Sequence, residues 1–240
     1  MNQLEKELQR ITNKVSEMWA LVEFQVITGK EALVKADIEL ARKVIKRGKK
    51  VNDYDIKIDR MVENFFALYN PVAVDLRWAL AVLKINSNLE RIGDSAESVA
   101  LMLREIESPL EPDLVEVTRL IEMYDGAIAM LYEVHQAFHE KDTERARALI
   151  RQDRLLNSIH RKTDKVLISY IQAHPDRVAQ CLKVSGIIRK LERIGDQVTN
   201  IAEEIVFYVD AKVVKHKKDK KDKDQDVRPE PKPGDNTPPA

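Results

Sequence analysis

The hexapeptide Leu-Glu-Arg-Ile-Gly-Asp occurs twice in this chain, at residues 89–94 and again at residues 191–196. The two copies are about 102 residues apart, and self-similarity at such a spacing indicates an internal duplication. Each copy lies late in a long segment whose apolar residues recur every three or four positions, which predicts that each copy is helical. The chain is therefore expected to fold as two related halves.

Each copy places two carboxylates on one helix face. Positions i and i+4 share a face, so Glu90 points the same way as Asp94, and Glu192 the same way as Asp196. Two like charges one turn apart repel, and a buried pair is unfavourable unless a cation compensates it. Solvation or neutralisation by the neighbouring Arg is the simpler interpretation of one such pair. The duplication favours a shared role, and the Gly in each copy suggests close approach of another backbone, since Gly costs about 1 kcal/mol relative to Ala in a helix.

Composition narrows the class of protein. Glycine is scarce, with 7 in 240 residues, and aromatics make up 5%, which together with many Ala, Leu, Glu, Lys and Arg residues predicts an all-α fold. Forty basic and 40 acidic residues give no net charge, which argues against a general nucleic-acid binder. The single cysteine, Cys181, excludes an intrachain disulfide and fits a reducing compartment. No signal peptide and no apolar run of about 18 residues is found, so we expect a cytoplasmic protein without a membrane span.

The apolar periodicity predicts three long helices in each half. In the first half they cover about residues 4–35, 37–70 and 71–106, and in the second about 114–138, 142–174 and a segment that follows Pro175 and ends near 209. Asp37 and Asp142 are suitable N-caps, while Asn70-Pro71 and Pro175 form corners. Each half is therefore expected to be an antiparallel three-helix bundle.

The predicted organisation is two similar bundles followed by a tail. We place the first bundle at residues 1–108 and the second at 109–211, with the joint at the two prolines of the segment 108–112. From residue 212 the chain becomes rich in Lys and Asp and then in Pro, which predicts a disordered tail over 212–240.

The predicted second helix carries a further pair of carboxylates, Asp55 and Asp59. Since the second and third helices run antiparallel from the corner at Pro71, residues at similar distances from that corner should meet. Asp55 and Asp59 should then face Glu90 and Asp94. Four carboxylates inside a bundle are hard oxygen ligands that suit iron, manganese, magnesium or calcium.

The second half offers a mixed set of side chains. A shift of about 105 residues takes Asp55 and Asp59 to His160 and Asp164, and takes Asn52 to Asn157. Asn200 follows Asp196 by one turn on the same face.

Several other metal and catalytic sites lack their sequence signals. A di-iron oxidase needs Glu-x-x-His on two helices, and the chain has none. Gly-rich phosphate loops, nucleophile elbows and Cys-x-x-Cys are also absent. His135 and His139 are one turn apart, but a chance pair on a polar face is favoured over a zinc site because no third ligand is adjacent in the sequence.

These motifs resemble the PhoU family. The resemblance is carried by the doubled hexapeptide, by Pro-Val-Ala-Val-Asp-Leu-Arg at 71–77, by Gln-Val-Thr-Asn-Ile-Ala-Glu at 197–203 and by Ile-Val-Phe-Tyr-Val at 205–209, and it covers about residues 1–210. It implies two similar three-helix bundles and a cytoplasmic regulator of phosphate uptake and phosphate signalling without known catalytic activity. Such a regulator acts between the ATP-binding subunit of the high-affinity phosphate transporter and a phosphate-sensing histidine kinase, and dampens the starvation response when phosphate is plentiful. We expect a homodimer that reaches the membrane through its partners only.

The resemblance also implies where metal would bind. Some family members carry iron or zinc clusters on Glu/Asp-x-x-x-Asp motifs, which correspond here to Glu90, Asp94, Glu192 and Asp196, with Asn200 on the same face and Asp55 and Asp59 on the second helix. Iron, zinc, manganese or magnesium is expected there. The family often has Asp where this chain has Asn52 and Asn157. A neutral amide is a weaker ligand, which lowers the expected metal affinity, chiefly in the second half.

Three hypotheses follow. The first is an adaptor that reports the state of the transporter to the kinase through helix-face contacts and is tuned by metal. The second is an enzyme with a carboxylate-bridged metal centre, against which the missing His ligands count. The third is a metal-free helical interaction module whose acidic faces bind basic patches on a partner. Metal content separates the first from the third, and turnover separates the first from the second.

Overall fold

The structure, a computed structural model, describes residues 3–106 and 108–213. Its first three helices are α1 (Gln3–Lys35), α2 (Ile38–Tyr69) and α3 (Ala73–Arg104). Asp37 caps α2 by accepting hydrogen bonds from the backbone N–H groups of Glu39 and Leu40. Asn70 ends α2 in the left-handed conformation directly before the proline corner. The predicted cap and corner are therefore confirmed.

The second half contains more helices than predicted. They are α4 (Pro112–Val117), α5 (Leu120–Glu140), α6 (Thr143–Gln152), α7 (Arg154–Ala173), a 3₁₀ turn (Pro175–Arg177) and α8 (Val178–Asp210). The carboxylate of Asp142 accepts from the backbone N–H of Arg145 and caps α6, as predicted.

Two of the predicted helices of this half are broken. The prediction of one helix over 114–138 is wrong at Arg119, which has a φ of 55° and separates α4 from α5. Thr118 is the C-cap of α4, and its hydroxyl donates to the carbonyl of Leu114 at 2.7 Å. The prediction of one helix over 142–174 is wrong at Asp153, which lies between α6 and α7 with its side chain buried. Apolar periodicity continues across both breaks, so the pattern does not reveal them.

The described residues form helices and no strand, with one apolar core that runs through both halves. The helices α1, α2 and α3 pack on each other, and α5, α6 and α7 pack on α8. The halves meet chiefly between α3 and α8, and again between α1 and α5. Among the described helices, none has the length and apolar character needed to cross a bilayer. The all-α fold is confirmed, whereas the boundaries at 108/109 and 211/212 stay predictions, and residues 214–240 of the predicted tail lie outside the described residues.

The helices α3 and α8 are antiparallel. Near the start of α3, the Lys84 Nζ lies 3.1 Å from Glu204 Oε2 near the end of α8. At the opposite end, Lys183 of α8 pairs with Glu105, the C-cap of α3. This register brings the two copies of the hexapeptide to the same level, in the middle of the helix pair.

The duplicated glycines sit where side chains of neighbouring helices lie close to α3 and α8. A Cβ on Gly93 would lie 3.1 Å from both Val51 Cγ1 and Gln25 Oε1. A Cβ on Gly195 would lie 2.7 Å from Asp153 Oδ1 and 2.8 Å from Leu156 Cδ2. The sequence predicts close approach of another backbone to these glycines. In the structure, side chains approach them instead.

Replacement of Gly195 by Ala should destabilise the protein. The new methyl group would overlap two buried side chains, those of Asp153 and Leu156, and overpacking of about 1–3 kcal/mol exceeds the gain of about 1 kcal/mol in helix propensity. We expect a net loss of up to about 2 kcal/mol in the free energy of unfolding, measured by urea denaturation.

Gly186→Ala, on the same helix, is the matched control. A Cβ there meets the Met102 sulfur at 2.7 Å, but a thioether side chain can move aside. This variant should be neutral or slightly more stable. If Gly195→Ala unfolds at the same urea concentration as Gly186→Ala, close packing is not the reason for a glycine at position 195.

Candidate functional site

A polar cleft of about 760 Å³ lies between α3 and α8, where the two copies of the hexapeptide meet. Both copies contribute the same pair of residues, Arg91 with Asp94 from the first and Arg193 with Asp196 from the second. The rest of the lining is mostly polar and consists of Asn52, Ser95, Glu97, Ser98, Leu101, Lys190 and Gln197. The cleft therefore presents cationic and anionic groups from both halves to one volume, which suits ligands or partners that carry both signs of charge.

The predicted cluster of the first half is organised by a residue that sequence reasoning missed. Asn86 is fully buried, and its Nδ2 donates to Asp55 Oδ1 at 2.8 Å and to Asp59 Oδ1 at 2.9 Å. The same nitrogen lies 3.0 Å from the Asp55 backbone oxygen. One amide from α3 thus holds both carboxylates of α2. The sequence does contain a signal for this role, because Asn86 is a polar residue within the apolar stripe of the third helix, between Ile85 and Leu89.

Two carboxyl groups of this cluster, those of Glu90 and Asp55, have a raised pKa. Burial, followed by the charges of Asp94 and Asp55, raises the pKa of Glu90 from 4.5 to about 6. Burial and then Asp59 raise the pKa of Asp55. Asp55, Asp59, Glu90 and Asp94 therefore do lie close enough to interact across α2 and α3. A bound cation would relieve this repulsion.

The cluster of the second half is smaller. His160 Nδ1 lies 3.7 Å from Glu192 Oε1, so these two predicted residues are neighbours. Asp164, one turn further along α7, is exposed, and Asp196 faces the cleft. An imidazole thus takes the place that Asp55 has beside Glu90.

The two amides predicted for the second half have other partners. Asn157 donates to the carboxylate of Asp153. Asn200 Nδ2 lies 3.5 Å from Asn88 Oδ1 on α3. Asn200 therefore connects the two central helices, and Asn157 holds the buried carboxylate at the break between α6 and α7.

The described residues limit the kind of metal site that can form. Within 3–106 and 108–213, no group of three or more His, Cys, Asp or Glu residues is placed to hold a metal ion. A site closed by three or four protein ligands, which zinc prefers, would need ligands from elsewhere. Each carboxylate pair, Glu90 with Asp94 and Glu192 with Asp196, could serve Mg²⁺ or Mn²⁺, which are bound through one or two carboxylates together with water. Metal binding at the seven predicted residues stays a prediction.

Glu90→Gln should stabilise the protein at neutral pH and not in acid. A carboxyl group whose pKa rises from 4.5 to about 6 on folding supports the folded state fully below pH 4.5, and that support is lost as the pH rises through about 6. Because Glu90 is partly exposed, solvent screening reduces the effect, and we expect a gain of about 1 kcal/mol at pH 7.5. Urea denaturation at pH 7.5 and pH 4 measures it.

Glu192→Gln is the matched control in the second copy. Glu192 has His160 beside it where Glu90 has Asp55, so its replacement should bring no comparable gain at pH 7.5. An equal gain for Glu90→Gln at both pH values would show that charge repulsion is not its cause.

Comparisons with known proteins find the same family in both halves of the chain. The family model of the PhoU domain matches residues 15–103 and 120–205. A Burkholderia sp protein named phosphate-specific transport system accessory protein PhoU homolog is 29% identical over 216 residues, covering 90% of this chain and 92% of that protein. The PhoU of Edwardsiella tarda, named phosphate-specific transport system accessory protein, is 32% identical over 215 residues, covering 89% of this chain and 87% of that protein.

A solved structure agrees with the sequence comparisons. The crystal structure of PhoU from Pseudomonas aeruginosa superposes with a TM-score of 0.82 at 29% identity, covering 88% of this chain and all of that one (100%). The resemblance inferred from the doubled hexapeptide is therefore confirmed. Because the family model matches more than half of the chain, once in each half, the chain belongs to the PhoU family.

Proposed function

We propose that this chain is a regulator of phosphate uptake and of phosphate-starvation signalling that acts as an adaptor and not as an enzyme. The observation that carries the proposal is a PhoU domain matched once in each half, in a chain similar over most of its length to proteins named as accessories of a phosphate-specific transport system. The chain would act in the cytoplasm, as a homodimer, between the transporter ATP-binding subunit and a phosphate-sensing histidine kinase. It would be peripheral to the membrane and would dampen the starvation response.

The duplication supports an adaptor physically, because it gives the molecule two related contact surfaces. Leu76 and Leu80 at the start of α3 are 38% and 39% exposed. Val178 and Leu182 stand at the same positions before the second hexapeptide and are 38% and 66% exposed. Since α3 and α8 are antiparallel, the two apolar pairs lie at opposite ends of the central helices. A protein with an apolar contact surface at each end can bind two partners at once.

Substitution of these apolar pairs should weaken partner binding without unfolding the chain. The wild type should bind both the transporter ATP-binding subunit and the kinase in a co-purification assay. Leu76→Ser/Leu80→Ser and Val178→Ser/Leu182→Ser should each weaken binding of at least one partner about tenfold, the effect of losing about 1.4 kcal/mol of contact.

Val34→Ser is the matched control, because Val34 is 60% exposed on α1 and belongs to neither central helix. If the wild type binds neither partner, the adaptor proposal is wrong. If both double variants bind like Val34→Ser, the docking surfaces lie elsewhere.

The acidic motifs are proposed to tune this adaptor by binding metal. Elemental analysis of untagged protein, followed by titration with Mn²⁺ and Mg²⁺, tests it. Glu90→Gln/Asp94→Asn should lose the larger share of bound metal, because Asp55 adds negative charge beside Glu90 in the first half. Glu192→Gln/Asp196→Asn should lose the smaller share.

The same measurement separates the three hypotheses. Protein that remains metal-free after reconstitution would favour the interaction module, whose acidic faces bind basic patches on a partner. Turnover that depends on the bound metal would favour the carboxylate-bridged metalloenzyme. Bound metal without turnover is the result expected of the adaptor.

A further inference from the structure

A second group of metal-ligating side chains lies between α1 and α5, away from the cleft. It contains His135 and His139 of α5 together with Ser16 and Glu23 of α1. These helices belong to different halves of the chain. The group is distinct from the carboxylate motifs, and it does not depend on the proposed function.

The two imidazoles meet through their Nε2 atoms. His135 Nε2 and His139 Nε2 are 3.0 Å apart. Histidines with this i, i+4 spacing on a helix bind a single zinc ion in metalloproteases. With metal–nitrogen distances of about 2.0–2.1 Å and tetrahedral angles, two ligating nitrogens stand roughly 3.3 Å apart. The rings would have to separate by only a few tenths of an ångström to admit a metal ion.

The orientation of the first imidazole is fixed from two sides. His135 Nδ1 lies 2.8 Å from Glu23 Oε1. In the tautomer in which Nδ1–H donates a hydrogen bond to this carboxylate, Nε2 keeps its lone pair. A carboxylate behind the far nitrogen of a ligating histidine is the usual outer partner in zinc sites. The Trp19 ring also stacks on His135, with centroids 4.6 Å apart and planes 8° from parallel.

The second imidazole is open to solvent, so a metal ion can reach the pair from this side. His139 is exposed, and the Ser16 hydroxyl lies 3.3 Å from its Nε2.

We propose that His135 and His139 bind one divalent transition-metal ion of the zinc type through their Nε2 atoms, with Glu23 orienting His135 and water completing the coordination. Two protein ligands agree with the lack of any group of three or more among the described residues. Imidazole selects zinc, copper or nickel over magnesium. This site revises the interpretation of the histidine pair as a chance feature of a polar face.

Zinc titration of the untagged full-length chain tests the site. Isothermal titration calorimetry with Zn²⁺ at pH 7.5 should show one site that excess Mg²⁺ does not displace. His139→Ala should weaken Zn²⁺ binding at least about tenfold, and Glu23→Gln, which removes the orienting charge, should weaken it by about 10- to 100-fold.

A control variant separates this site from other ligands of the chain. His174→Ala removes an exposed histidine at the end of α7, and it should bind Zn²⁺ like the wild type. Far-UV circular dichroism checks that each variant stays folded.

A spectroscopic measurement identifies the ligating atoms. In ¹⁵N spectra of the histidine rings, Zn²⁺ should shift the Nε2 resonances of His135 and His139 and leave that of His174 in place. The proposal is overturned if the wild type binds no Zn²⁺, if His139→Ala binds it like the wild type, or if Zn²⁺ leaves both Nε2 resonances unchanged.

Discussion

The register of α3 against α8 determines where every residue of the candidate site lies. Glu204 is almost fully buried and pairs with Lys84 at 3.1 Å, and a buried carboxylate is strongly unfavourable once its cationic partner is removed. A slip of one helical turn would break this pair and also separate Lys183 from Glu105 at the other end. The two hexapeptides therefore lie at one level between these two charge pairs, and the cleft between them is a consequence of that register.

The duplicated motif sits in two different electrostatic environments. Beside Glu90, the buried amide of Asn86 holds Asp55 and Asp59 together. Burial, followed by the charges of Asp94 and Asp55, raises the pKa of Glu90. The position equivalent to Asn86 in the second half is Ile188, which cannot hold carboxylates in this way and is buried in the core. The identical hexapeptides therefore offer one face that favours cations and one of mixed character, as the shift of Asp55 to His160 indicates in the sequence.

The sequence predicted the features that depend on backbone hydrogen bonding and on helix geometry. The caps at Asp37 and Asp142, the corner after Asn70 and the approach of Asp55 to Glu90 follow from backbone hydrogen bonding and from distances along antiparallel helices. Other features depend on how the halves dock. Glu23 and His135 are 112 residues apart in sequence, and no periodicity connects them. The break at Arg119 escaped prediction because the apolar stripe continues through it, and the role of Asn86 escaped because one polar residue does not disturb a stripe.

The docking of the halves is a packed contact and not a hinge. A Cβ on Gly29 of α1 would lie 2.8 Å from the hydroxyl of Tyr124 on α5, and Tyr124 is itself 1% exposed. One apolar core continues from the first half into the second, and such cores are close-packed and transmit strain. A ligand between α1 and α5 and a partner at the ends of α3 or α8 would thus act on one rigid body. Coupling between the ligand and the partner requires that each binds two arrangements of the halves with different affinity. The packing between the halves favours a single arrangement, in which the chain joins its partners through fixed surfaces.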